Sequence, residues 1–102
     1  MTGTAKVGRV DEIPPGKIKA VAANRKKVIL ANIGGKIYAM GSVCTHVGGP
    51  LEEGKLEGSV VTCPWHGSKF DITNGKVVRG PATNPEPVYS LRIEGNDILI
   101  EA

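Results

Sequence analysis

Fourteen glycines and seven prolines are spread along 102 residues, and this punctuation restricts the backbone more than any other feature of the chain. Relative to alanine, glycine costs a helix interior about 1 kcal/mol and proline about 3 kcal/mol. No window of 12 residues combines a helical apolar stripe with freedom from both residues. The intervals are filled with β-branched side chains, 11 valines and 9 isoleucines against 5 leucines, which suit a pleated, half-buried surface. The fold class expected is all-β.

Turn chemistry divides the chain into strands. Lys27–Ile33 and Lys36–Gly41 flank Gly34-Gly35, a pair that tolerates the positive φ angles of a tight hairpin. Phe70–Thr73 and Lys76–Val78 flank Asn74-Gly75, the strongest short hairpin signal in the chain. Tyr89, Leu91 and Ile93 alternate with Ser90, Arg92 and Glu94, as in one strand with a buried and a wet face, and Gly95-Asn96 turns the chain back into Asp97–Glu101. Earlier strands are read at Ala5–Val10 and Lys17–Ala22, separated by Pro14-Pro15. Gly80–Pro87, with three prolines, reads as one rigid, irregular loop.

The length fits a single domain over residues 1–102 with one core. No apolar run, Val28–Ala31 among them, exceeds four residues, whereas a membrane helix needs roughly 20. Met1-Thr2-Gly3-Thr4 begins no basic, apolar export signal. A soluble, cytoplasmic protein with no membrane partner is expected. The net charge of +3 is interrupted by Glu52, Glu53 and Glu57. The one basic run, Arg25-Lys26-Lys27 beside Asn24, reads as a solvated turn. No aromatic platform accompanies it, so no nucleic-acid partner is expected.

Both cysteines and both histidines fall into two short clusters, Cys44-Thr45-His46 and Cys63-Pro64-Trp65-His66. Each is followed by glycine, as Gly48-Gly49-Pro50 and Gly67, which places both on loops at strand ends, where a rigid sheet positions functional groups. Three chemistries suit the set. A Cys44–Cys63 disulfide conflicts with a reducing compartment and leaves the two histidines unexplained. A structural Cys2His2 zinc site has the right ligands, but its usual small folds pair Cys with Cys and His with His. A 2Fe–2S cluster of mixed ligation suits the short Cys–His spacings, because neighbouring side chains must reach two metals.

The pattern C-x-H-x16-C-x2-H resembles the Rieske iron–sulfur family, as do Cys44-Thr45-His46-Val47-Gly48-Gly49 and Cys63-Pro64-Trp65-His66-Gly67-Ser68-Lys69-Phe70-Asp71 around it. The resemblance implies stacked antiparallel sheets, with a cluster-binding subdomain at about 41–81 inserted into a β base. It also implies a third, proline-containing loop at Gly80-Pro81-Ala82 that covers the cluster. Cys44 and Cys63 would hold the inner iron and His46 and His66 the outer one, which takes up the electron. Two ferric irons, two sulfides and two thiolates sum to zero, so reduction is easier than for a four-thiolate centre, and such clusters lie between about −150 and +300 mV. Gly48, Gly49 and Gly67 would let backbone N–H groups approach the sulfides, unless they serve only as ordinary turns. Ser68 is a candidate donor to a bridging sulfide.

Respiratory members of the family carry an extra disulfide where this chain has Gly49 and Trp65, and a tyrosine where it has Phe70. A potential in the lower part of the family range is therefore expected. Trp65 and Phe70 are read as packing that shields the cluster. The implied role is an electron carrier, not an enzyme, between a reductase and a terminal acceptor such as a ring-hydroxylating oxygenase, with docking at the histidine end around Val47, Gly48, Trp65 and Pro81. No histidine remains for the two-His-one-carboxylate iron of an oxygenase. A small redox subunit of another reductase and a zinc-stabilised interaction module are the alternatives.

Overall fold

The computed structural model describes residues 4–45, 48–65, 67–80 and 82–101. Among them run the strands β1 (Thr4–Arg9), β2 (Ile18–Ala23), β3 (Lys26–Ile33), β4 (Lys36–Gly41), β5 (Lys55–Glu57), β6 (Val60–Thr62), β7 (Lys69–Asp71), β8 (Val77–Arg79), β9 (Val88–Tyr89), β10 (Leu91–Glu94) and β11 (Asp97–Glu101). They form three antiparallel sheets, ordered β1-β11-β10, β2-β3-β4-β9 and β5-β6-β7-β8. The all-β reading, with stacked antiparallel sheets, holds.

The apolar run Val28–Ala31 becomes the centre of the molecule. Successive side chains of a strand point to opposite faces, and both faces of β3 are covered. Ile29 and Ala31 join Met40 in one apolar cluster, while Val28 and Leu30 join Ile37 and Ala39 in another. The register agrees, with Ile29 opposite Met40 and Leu30 opposite Ala39, so each cross-strand pair feeds one face. On one side the middle sheet packs against Ile98 and Ile100 of β11. On the other it meets Leu51, Val61, Phe70 and both cysteines. Full burial of each such Ile or Leu stabilises the fold by about 1.5–3 kcal/mol.

The Gly34-Gly35 hairpin forms as read, with φ of 62° and 96°. So does the β10–β11 return at Gly95-Asn96. The first two strands are each displaced by one residue from the boundaries read from sequence. The basic run is only partly a turn: Asn24 and Arg25 make it, at φ 49° and 68°, while Lys26 and Lys27 open β3.

Two readings require correction. Asn74-Gly75 is not a two-residue hairpin turn, because the chain leaves β7 at Asp71. The Asp71 carboxylate accepts from Thr73 Oγ1 (2.6 Å) and Thr73 N (2.9 Å), which holds its pKa below the ordinary value. Ile72 turns into the core, and Gly75 N bonds back to Asp71 O at 2.6 Å. The stretch from Tyr89 to Glu94 is likewise not one strand. β9 belongs to the middle sheet and β10 to the outer one, with the crossing at Ser90. Ile93 is consequently exposed at 42% rather than buried. Strands β5 and β6, three residues each, are too short to show a period in the sequence.

Candidate metal centre

Two loops of the same design project toward each other. In the first, Cys44 N donates to Gly49 O (2.9 Å) and Gly48 N donates to Cys44 O (2.8 Å). In the second, Cys63 N donates to Ser68 O (2.7 Å) and Gly67 N donates to Cys63 O (3.1 Å). Each cysteine thus opens a loop closed by two backbone bonds, with a left-handed glycine at its far side, Gly48 at φ 73° and Gly67 at φ 78°. Sheet structure anchors both. The first loop is bracketed by the Val43–Pro50 bridge and the bond from Leu51 N to Ser42 O (2.8 Å), the second by β6 and β7 through the pair Thr62–Lys69.

This geometry separates the glycines. Gly48 and Gly67 act as turns, since their N–H groups are directed to the cysteine carbonyls. Gly49 provides a close approach: a β-carbon there would stand 2.8 Å from Cys63 Sγ and 3.2 Å from Trp65 Cδ2. Gly49 and Trp65, which the resemblance sets at the places of an extra disulfide in respiratory members, are neighbours here.

Cys44 and Cys63 are buried, at 2% and 1% exposure, and share an apolar cluster with Phe70, Leu51, Val61 and Ala82. Among the described residues no disulfide joins them. Phe70 is fully buried. Trp65 is 59% exposed, so its ring lies over Gly49 while most of its surface faces solvent. Ser68 is fully buried, and its Oγ accepts from Ala82 N at 3.0 Å. His46, Val47, His66 and Pro81 lie outside the described residues.

The segment 82–87 forms a strap over both loops. Ala82 bonds Ser68 in the second loop, and Asn84 O accepts from Thr45 Oγ1 of the first at 2.7 Å. Its far end is tied down by Glu86 N donating to Gly75 O and Gly41 N donating to Pro87 O, both at 2.8 Å. Sequence reasoning read this segment as an irregular loop and gave Thr45 and Glu86 no role. Glu86 is buried, with Oε1 lacking a hydrogen-bond partner, and burial pushes its carboxyl up to about 7. No signal in Pro85-Glu86-Pro87 marks that burial.

A model of the Rieske [2Fe-2S] domain matches residues 3–92, both loops included. The chain belongs to the Rieske family. It is 41% identical over 97 residues to the biphenyl dioxygenase ferredoxin subunit of Pseudomonas sp. (strain KKS102), covering 94% of this chain and 89% of that one. Its backbone is similar to that of a Sphingomonas yanoikuyae B1 ferredoxin, with TM-score 0.92, 26% identity and coverage of 98% and 99% of the two chains. It also resembles a chain from a complex of reduced oxygenase and oxidized ferredoxin in carbazole 1,9a-dioxygenase, with TM-score 0.90, 28% identity and coverage of 95% and 91%.

The cofactor of the Rieske family is a 2Fe–2S cluster on two cysteines and two histidines, and the residues of this chain fit it. Two buried thiols stand on twin loops, and Gly49 leaves room beside the Cys63 sulfur where a side chain would intrude. The only two histidines of the chain fall in the same loops.

Proposed function

We propose that this chain is the ferredoxin component of a ring-hydroxylating dioxygenase system, carrying single electrons from a reductase to a terminal oxygenase. Its likeness, along nearly its whole length, to a dioxygenase ferredoxin subunit carries this reading. The cluster supplies a one-electron acceptor and donor. Cys44 and Cys63 are assigned to one iron and His46 and His66 to the other, with Ser68 as donor to a bridging sulfide. The burial of both thiols and the shared design of the loops support the cysteine assignment.

The remaining residues exclude water and present a surface. Phe70, Leu51 and Val61 close the inner side, the strap from Ala82 to Pro87 covers the loops, and Trp65 and Val43, exposed at 59% and 45%, give an apolar face beside them. That face is where we place partner docking. The cluster-binding subdomain is assigned to about 41–81, supported by the sheet β5-β6-β7-β8 and both loops falling within that range. Among the described residues no helix is long and apolar enough to cross a membrane. A cytoplasmic location suits two cysteines that must stay reduced to bind metal.

The test is purification followed by reconstitution. A reddish-brown protein, whose reduced form gives the electron spin resonance of a histidine-ligated cluster and passes electrons to a ring-hydroxylating oxygenase, is the expected result. A colourless protein carrying zinc would overturn the reading.

A further inference from the structure

The sheet β5-β6-β7-β8 turns one face to the core and the other to solvent. Leu56, Val61, Phe70 and Val77 stand opposite one another across the four strands and belong to, or pack against, the apolar cluster of the two cysteines. Opposed residues share a face, and successive residues of a strand alternate. The outer face therefore carries the row Lys55, Thr62, Lys69 and Arg79, with Lys55 opposite Thr62, Thr62 opposite Lys69 and Lys69 opposite Arg79. A bulge in β8 leaves both Val78 and Arg79 exposed. Lys55 is exposed as well, and Lys69 is half-buried.

Sheet stability does not account for this row. Like charges directly opposite weaken a sheet, yet Lys69 faces Arg79. Among the described residues none of the three cations is in an ion pair. The acids of the same face, Glu57 and Asp71, form a separate row on either side of Val60, and Asp71 is held by Thr73. The face is thus polarised, with its positive end at the cysteine loops. Thr62 and Lys69 are the last pair before the second loop, which Cys63 N closes onto Ser68 O, and Arg79 leads into the strap that bonds Ser68. Neighbouring strands lie about 4.8 Å apart, so the row spans about 14 Å, a width suited to several carboxylates on a protein surface. A polyanion laid along the face would meet Glu57 and Asp71, and the face carries no aromatic ring for a base to stack on.

We propose that Lys55, Lys69 and Arg79 form an electrostatic docking strip for a carboxylate-bearing patch on the terminal oxygenase. The strip adjoins the loop of Trp65, whose exposed ring gives the apolar part of the same contact. The cations steer the oxygenase to the loop end of the carrier, and the acidic row at the far end of the face disfavours the reversed orientation. This inference rests on the electron-carrier reading.

Stopped-flow re-oxidation of the reduced, cluster-loaded carrier tests this across ionic strength, with the oxygenase as one acceptor and ferricyanide, a small anion, as the other. Ferricyanide takes one electron, leaving the oxidised carrier and ferrocyanide. Wild type is compared with the triple variant Lys55→Gln, Lys69→Gln, Arg79→Gln. The control makes the same charge change at exposed positions outside this sheet, Lys17→Gln, Arg25→Gln and Lys36→Gln. At low salt the strip variant should be slower with both acceptors, by about tenfold with the oxygenase, and should lose most of the salt dependence. The control should stay near wild type. The strip variant's unfolding midpoint should equal or exceed the wild-type value, since the opposed like charges are gone. Equal rates in all three proteins, or equal slowing in both variants, overturns the strip and leaves the carrier reading intact. Slowing with ferricyanide alone overturns the oxygenase as its occupant, and a lower unfolding midpoint with unchanged rates assigns the row to the fold instead. A wild-type protein that binds no cluster overturns the carrier reading and the strip together.

Discussion

Gly49 lies against Cys63: a β-carbon at the glycine would come within 2.8 Å of the cysteine sulfur. The two loops meet at this contact, and neither has a flexible side-chain end that could give way. Gly49→Ala should push the loops apart, lowering stability by about 1–3 kcal/mol, the usual cost of overpacking, and reducing bound iron. Unfolding curves and iron content per protein check it; wild-type values for both would show that the approach imposes no constraint.

Ser68→Ala leaves the N–H of Ala82 without its acceptor in a fully buried place. A buried donor left unpaired costs about 1–3 kcal/mol, so the midpoint of chemical unfolding should drop accordingly. If the hydroxyl also donates to a bridging sulfide, its removal lowers the potential, because that bond favours the more negative, reduced state. A potential equal to wild type would remove Ser68 from the tuning groups.

Stability should depend on pH through Glu86. Its folded-state pKa, about 7, is raised above the ordinary 4.5 by burial, so the folded state holds the proton more tightly than the unfolded chain. The stabilisation is full below about pH 4.5, is lost as pH rises to about 7 at roughly 1.4 kcal/mol per unit, and is absent above. Wild type should therefore weaken relative to Glu86→Gln between about pH 5 and about pH 8. Parallel unfolding curves across that range would show that Glu86 is not a buried acid.

Trp65 offers the largest exposed apolar side chain beside the loops. Trp65→Ala should slow electron delivery to the oxygenase by about tenfold, the equivalent of roughly 1.4 kcal/mol at one aromatic anchor. Potential and melting temperature should stay near wild type. Stopped-flow oxidation at several oxygenase concentrations distinguishes weaker docking from a changed cluster.

Replacing Cys44 or Cys63 by alanine should give a colourless protein without the reduced-state spin resonance. Each thiolate is assigned as a cluster ligand, and no third cysteine exists to substitute. Visible absorption after iron and sulfide reconstitution is the measurement.

Legibility in the sequence followed the range of the forces involved. Residues Lys36–Gly41 were readable as a strand because Gly34-Gly35 and the β-branched run act locally. The Cys–His pairs stand out because the chain has only two cysteines and two histidines and their spacing is short. Ser90 was misread as the interior of a strand, since alternation in the sequence carries no information on which sheet each half joins. Asn74-Gly75 does not make the turn alone, because Asp71 and Thr73 form their own and Ile72 packs into the core.

The sequence by itself determined the all-β class and the family pattern carried by two short Cys–His segments, through backbone sterics and residue chemistry confined to a few neighbouring positions. Tertiary structure decided the rest: that the Val28–Ala31 run lies between two cores, that Gly49 touches Cys63, that the strap binds Thr45 and Ser68, and that Glu86 is buried. Those facts depend on which surfaces meet across long separations in the chain, and burial and desolvation exist only once they have met.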